Sequence, residues 1–154
     1  MKKNLFLLGL LCAMASVPLL AQKYKTGADT IKLNKELVEV SNDVAELTAK
    51  LTIAQNNLPG YNTKADKAVS DANETAQKSS DQANKATNGD LDDAKKAKKK
   101  AKKALNDAED ADDAKGNVKD QEKKINKLTS ELQKKQKKLS ELEDMRTTIR
   151  TMHQ

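Results

Sequence analysis

Residues 33–58 read LNKELVEVSNDVAELTAKLTIAQNNL. Their apolar positions are Leu33, Leu37, Val40, Val44, Leu47, Leu51, Ala54 and Leu58, separated by steps of 4, 3, 4, 3, 4, 3 and 4. Steps that alternate between three and four hold one stripe of an α-helix in one direction, whereas a strand needs steps of two. The flanking positions are mostly polar, so the stripe reads as a coiled-coil seam. A second seam lies near the other end. Val118, Ile125, Leu132 and Leu139 recur every seven residues, Leu128 and Leu142 take the alternate position, and Ile149 follows one heptad after Leu142. Lys135 interrupts that alternate row once. A polar residue at a single seam position fixes register at a cost in stability.

Between the two seams the period continues with smaller side chains. Ala65, Val69, Ala72, Ala76, Ser79, Ala83 and Ala86 form one series, and Ala94, Ala97, Ala101, Ala104, Ala108 and Ala111 another. Alanine seams let helices approach closely but bury little area, so at roughly 25 cal/mol per Å² the middle is weakly held. Its helicity rests largely on alanine's intrinsic propensity.

The punctuation suggests how these segments fold together. Leu58-Pro59-Gly60 is expected to stop or kink the first helix, with Thr63 as a new N-cap and Tyr61 packing over the break. Thr87-Asn88-Gly89 is a turn signal, and Asp90 can cap the helix that follows, with Asp93 behind it. Gly116-Asn117 is a weak point in the last helix. A turn at Gly89 sets Leu-rich 33–58 against Leu-rich 118–149 and Ala-rich 65–86 against Ala-rich 94–111. Facing layers then match in size, as an antiparallel helical hairpin requires. Each arm of about 60 residues would extend roughly 90 Å. The expected fold is therefore all-α, an antiparallel coiled-coil hairpin over 30–150 with breaks at 59–62, 88–90 and 116–117. The alternative is a four-helix bundle folded at the two outer breaks. A parallel oligomer through the Leu segments would use the same seam.

Composition sets the class of function. The 154 residues are 34% charged and 2% aromatic, the three aromatics being Phe6, Tyr24 and Tyr61. So few large apolar side chains argue against the deep pocket of an ordinary enzyme. Lys2 and Lys3 precede an apolar run that starts at Leu5, and small residues follow, which is the layout of a bacterial secretory signal peptide. Cleavage is expected after Ala21. Ser16 and Pro18 interrupt the run, which makes it marginal as a membrane span. Leu11 directly before Cys12 argues against lipidation there. Removal of 1–21 takes Cys12, the one cysteine, and leaves 133 residues with 27 basic and 23 acidic side chains. No disulfide is then available, and stability must come from helix packing. Leu, Ile, Val and Phe make up 20 of those 133 residues, a poverty that borders on disorder. The near balance of charge and the abundance of helix formers favour helix instead. Residues 22–29 are expected to be a disordered leader and 151–154 a frayed tail. No membrane span is expected after cleavage.

Chemistry-bearing residues are scarce. His153 is the only imidazole and sits next to the C-terminus, where no held nucleophile–base pair is expected. The acidic stretch Asp107, Glu109, Asp110, Asp112 and Asp113 lacks the central Gly and terminal Glu of a calcium loop, and on a helix its carboxylates diverge. No metal, cofactor or enzymatic activity is expected.

The strongest local anomaly is Lys95, Lys96, Lys98, Lys99, Lys100, Lys102 and Lys103, seven lysines in nine residues. In the hairpin the opposite arm supplies only Asp81, with Glu74 just outside, so the patch is expected to stay positive. Such a patch attracts anionic lipid, lipopolysaccharide phosphates or acidic protein. Specific nucleic-acid recognition is not expected, because the only arginines are Arg146 and Arg150 and no aromatic lies near. The neighbouring acidic stretch also offers the same region of a second molecule as a partner. In composition the chain resembles outer-membrane lipoprotein zippers, late-embryogenesis proteins and the tentacle hairpins of the periplasmic holdase family called seventeen-kilodalton protein. No motif carries membership of any of them. These features imply an exported structural or interaction module of the bacterial cell envelope, in the periplasm or outside the cell. It would pair with itself or another helical protein through the Leu seam. The alternative is a periplasmic holdase that grips acidic or non-native clients between its alanine-rich arms.

Overall fold

The computed structural model describes residues 27–152. The expected signal peptide, Tyr24 and His153 lie outside the described residues. Two long helices account for nearly all of the rest: α1, Gly27–Thr87, and α2, Leu91–Met152. They pack against each other as an antiparallel hairpin, with no strand among the described residues. α1 already begins at Gly27, so residues 27–29, expected in the leader, are helical. α2 likewise carries the first two residues of the expected frayed tail, Thr151 and Met152.

The turn follows the residues that signal it. Asn88 donates its backbone N–H to the Lys85 carbonyl at 3.4 Å, closing the end of α1. Asp90 then caps α2, its Oδ1 accepting the backbone N–H groups of Asp92 at 2.9 Å and Asp93 at 3.0 Å. These are two of the donors that a helix start leaves without an intrahelical partner. Gly89 is needed for room. A Cβ there would lie 2.6 Å from Asp93 Oδ2 and 2.9 Å from the Lys85 carbonyl oxygen.

The breaks expected at 59–62 and 116–117 are absent. α1 runs without interruption through Pro59, Gly60 and Thr63, and α2 through Gly116 and Asn117. Thr63 is not an N-cap; its hydroxyl instead donates back to the Pro59 carbonyl at 2.9 Å. Interior proline costs about 3 kcal/mol in an exposed helix. Here that cost falls on an exposed face, while Ala54 and Ala65 are buried at 1% and 7% exposure on either side. Heptad phase explains the continuity. In α1 the positions 33, 40, 47, 54, 61, 68, 75 and 82, with 37, 44, 51, 58, 65, 72, 79 and 86, form one unbroken repeat. All but Tyr61 are buried or half-buried, and Tyr61 is 36% exposed. A break at Pro59 would rotate everything after it off the seam. Without breaks the four-helix bundle cannot form.

Carrying that phase forward corrects the middle seams. Ala76 and Ala83 are exposed, and Thr75 and Gln82 take the seam positions in their place. On α2, Ala94, Ala101 and Ala108 are exposed, while Asp93, Ala97, Ala104, Asp107 and Ala111 face inward. The apolar identity of alanine misled because alanine occurs on every face of these helices.

The described chain divides into two compact units. The first combines the start of α1, up to Ser41, with the end of α2, from Lys137. Leu33, Leu37, Val40, Leu142 and Met145 form its core, with Leu139 and Ile149 packed against it. Leu33 has no exposed surface. Met145 is buried although the seam pattern passed it over, because the seam steps three residues beyond Leu142 rather than four. Lys138 reaches Glu36 at 2.7 Å beside this core.

The second unit spans Asn42–Gln136 and contains the turn. Three cross-helix bonds set its register: Gln82 Nε2 to Asp93 Oδ1 at 3.4 Å, Gln121 Nε2 to the Ala54 carbonyl at 2.6 Å, and Lys135 Nζ to Asp43 Oδ2 at 2.6 Å. From the first to the second, the contact moves 28 residues back along α1 and 28 forward along α2. Equal steps in opposite directions define antiparallel pairing in constant register. Val44, Leu47, Leu51, Leu58, Val118, Ile125 and Leu132 all face the seam but stay half-exposed; only Leu128 among the large aliphatics is buried, at 9% exposure. Two helices cover a seam from one side only. Lys135, which interrupts the α2 seam, is answered by Asp43 next to Val44. Gln121 is buried at 8% exposure, seven residues before Leu128 on the same row.

Candidate functional surface

α2 leaves its Asp90 cap and enters the lysine run within its first two turns. Lys95, Lys96, Lys98, Lys99, Lys100, Lys102 and Lys103 are all exposed. Ala97 and Ala104 define the inward face here. At 3.6 residues per turn, Lys95, Lys98, Lys99 and Lys102 point away from α1, while Lys96 and Lys103 flank the seam and Lys100 lies on it.

The patch is less uniformly positive than its sequence suggests. Lys95 reaches Asp92 at 3.3 Å, Lys96 reaches Asp93 at 3.6 Å, and Lys103 reaches Asp107 at 2.6 Å. All three partners lie on α2 itself, one turn away. Asp92 and Asp93 open the helix, where carboxylates also favour the positive end of its dipole. On the seam side, Asp71, Glu74, Thr75, Lys100, Lys103 and Asp107 line an open cleft of about 320 Å³. Asp107 accepts from Lys103, and this bond, with the Thr75 hydroxyl nearby, holds its carboxyl below the usual carboxylate range. The same Asp107 bond raises the Lys103 ammonium, with Asp71 and Glu74 adding to it. Glu74 is lowered by its hydrogen bond to Lys78. The cleft thus gathers two intrahelical ion pairs, Lys103–Asp107 and Lys78–Glu74, beside Asp71 and Lys100.

Lys98, Lys99, Lys100 and Lys102 differ, having no ion-pair partner among the described residues. Three of them, Lys98, Lys99 and Lys102, lie on the outward face. The acidic stretch separates in the same way. Asp107 turns to the seam, whereas Glu109, Asp110, Asp112 and Asp113 are exposed and unpaired among the described residues. The described residues hold no cluster of His, Cys, Asp or Glu that could ligate a metal ion. None of the described helices is long and apolar enough to cross a membrane. Comparison with family models, curated proteins and solved structures finds no match for this chain.

Proposed function

We propose that the protein is an exported, non-enzymatic interaction module of the bacterial cell envelope. Its two helices pair in cis and carry a lysine face that contacts an anionic surface. The observation that carries this reading is the outward grouping of Lys98, Lys99 and Lys102 without counter-charges of their own. An unpaired cationic group on a rigid helix attracts phosphate or carboxylate surfaces through a field that salt screens within about 10 Å. The address rests on the n-region, apolar run and small residues of 1–21, and the lack of chemistry on the single histidine and the missing mature cysteine. The Leu seam is engaged within the chain, which leaves the outer faces for partners. The holdase alternative draws no support from the alanine-rich stretch, where buried Ala65 and Ala111 fill the space a client would need.

Co-sedimentation with phosphatidylglycerol vesicles against phosphatidylcholine vesicles tests the surface. Binding is expected to the anionic vesicles alone and to fall with added salt. The triple variant Lys98→Glu, Lys99→Glu, Lys102→Glu should lose it. Unchanged binding by that variant would falsify the lysine-face reading. The mass of the protein recovered from a bacterial periplasm tests the export reading, with a start at Gln22 expected.

A further inference from the structure

On several other stretches of the two helices opposite charges lie one turn apart and pair along their own helix. Lys50 bonds Glu46, Lys78 bonds Glu74, Lys35 reaches Glu39 at 3.9 Å, and Lys123 reaches Asp120 at 2.8 Å. The outer face of α2 between 98 and 113 departs from this habit. Its lysines come first and its carboxylates after, and none of Lys98, Lys102, Glu109 and Asp112 has an ion-pair partner among the described residues. Lys98, Lys102, Leu105, Glu109 and Asp112 step by 4, 3, 4 and 3, so they lie along one stripe. All five are exposed, and Leu105, at 60% exposure, is a large aliphatic left bare at the middle of the stripe.

The stripe repeats with its signs reversed about Leu105. Lys98 lies seven residues before it and Asp112 seven after; Lys102 lies three before and Glu109 four after. We propose that this stripe docks a second copy of the same chain, laid antiparallel across it about a two-fold axis at Leu105. An isologous contact presents the same patch from both partners, so each must complement itself. In this arrangement Lys98 meets Asp112 of the second copy and Lys102 meets its Glu109, each twice by symmetry, while the two Leu105 side chains meet on the axis. Within one helix, like charges four residues apart repel, as Lys98 does Lys102 and Glu109 does Asp113. The second copy sets an opposite charge against Lys98, Lys102 and Glu109 and so offsets these repulsions. A strip this narrow, with one aliphatic per partner, falls short of the area of a permanent interface. The association is therefore weak, reversible and sensitive to salt. It does not rest on the envelope reading, because the complementarity lies within the chain.

Sedimentation velocity of the full chain tests it, with circular dichroism checking that each variant keeps its helicity. Concentration-dependent association is expected at an ionic strength of ~0.01 M and its loss at ~1 M, where the screening length shrinks from about 30 Å to 3 Å. The pair Lys98→Glu, Lys102→Glu and the pair Glu109→Lys, Asp112→Lys should each abolish it. An equimolar mixture of these two variants should associate again, and the fourfold swap should restore self-association. Wild-type protein that stays monomeric at low salt overturns the proposal. So does association that either double variant leaves unchanged, or a mixture that stays monomeric.

Discussion

The start of α1 with the end of α2, and the alanine-rich stretch on either side of the turn, use the same heptad for different ends. In the first, Leu33, Leu37, Val40, Leu142 and Met145 make a continuous apolar core. In the second, seam positions alternate between alanine and polar residues such as Thr75, Gln82, Asp93 and Asp107. One region is held by area removed from water, the other by helix propensity and a few directional bonds. The difference separates two properties that a regular coiled coil normally joins. Leucine layers supply stability, while polar layers such as Gln82–Asp93 fix register at little energetic gain. Charged residues are free to segregate on the outside of the weakly held stretch because their arrangement hardly affects its core.

The sharpest way to break this contrast is Leu33→Ala. A fully buried leucine should cost about 2–5 kcal/mol when truncated, read as a drop in the thermal or urea midpoint. Ser79→Ala, at a half-buried seam position near the turn, should cost well under ~1 kcal/mol by comparison. Equal losses would show that the alanine-rich stretch carries as much packing energy as the leucine core. Next in size is Pro59→Ala, which restores the missing N–H in a continuous helix. It should stabilise by up to about 3 kcal/mol, and a loss of stability would mean that the proline sets a bend the seam requires.

Gly116→Ala should stabilise by about 0.5–1 kcal/mol, since a Cβ there meets nothing within 4 Å. A neutral or negative result in denaturant unfolding would expose a contact made by that bare backbone. The smallest effect is the pH response of Lys103–Asp107. The Asp107 carboxyl is lowered by Lys103 and Thr75, so its stabilisation is present above the ordinary aspartate value near ~3.9 and is lost as pH falls through its lower folded value. The Lys103 ammonium is raised, so its share is present below ~10.4 and is lost as pH rises through its higher folded value. Amide protection factors around residues 71–75 and 103–107, corrected for the intrinsic pH dependence of exchange, should fall below about pH 4, before those around Leu33–Val40. Simultaneous loosening would instead point to general acid unfolding.

Much of the fold was legible because large aliphatics keep strict time. Leu33 to Leu58 and Val118 to Leu142 gave the helices, and Asn88-Gly89-Asp90 gave the turn with its cap. The misreadings came from trusting residue identity over phase. Pro59, Gly60 and Gly116 are poor helix residues, but their cost is local and the seam extends past them. Ala76, Ala83, Ala94, Ala101 and Ala108 looked like core because they are apolar; counting sevens from Leu33 leads instead to Thr75 and Gln82. Counting back from Leu128 likewise reaches Gln121, whose polarity hid it. On the candidate surface the lysine run was plain. The neutralisation of Lys95, Lys96 and Lys103 was legible only from carboxylates placed one turn away on the same helix, a pattern that becomes visible once the helix phase is known.

The unbroken count through Pro59 and Gly60 also limits how such a gene can change in length. Inserting one codon in α1 would swing every later side chain about 100° around the axis and misalign the whole downstream seam. A gain or loss of seven codons in α1, matched by seven in α2, would preserve both phase and partnership. Related chains of different length are thus expected to differ by paired sevens, with the Asn88-Gly89-Asp90 corner kept at the centre of the count.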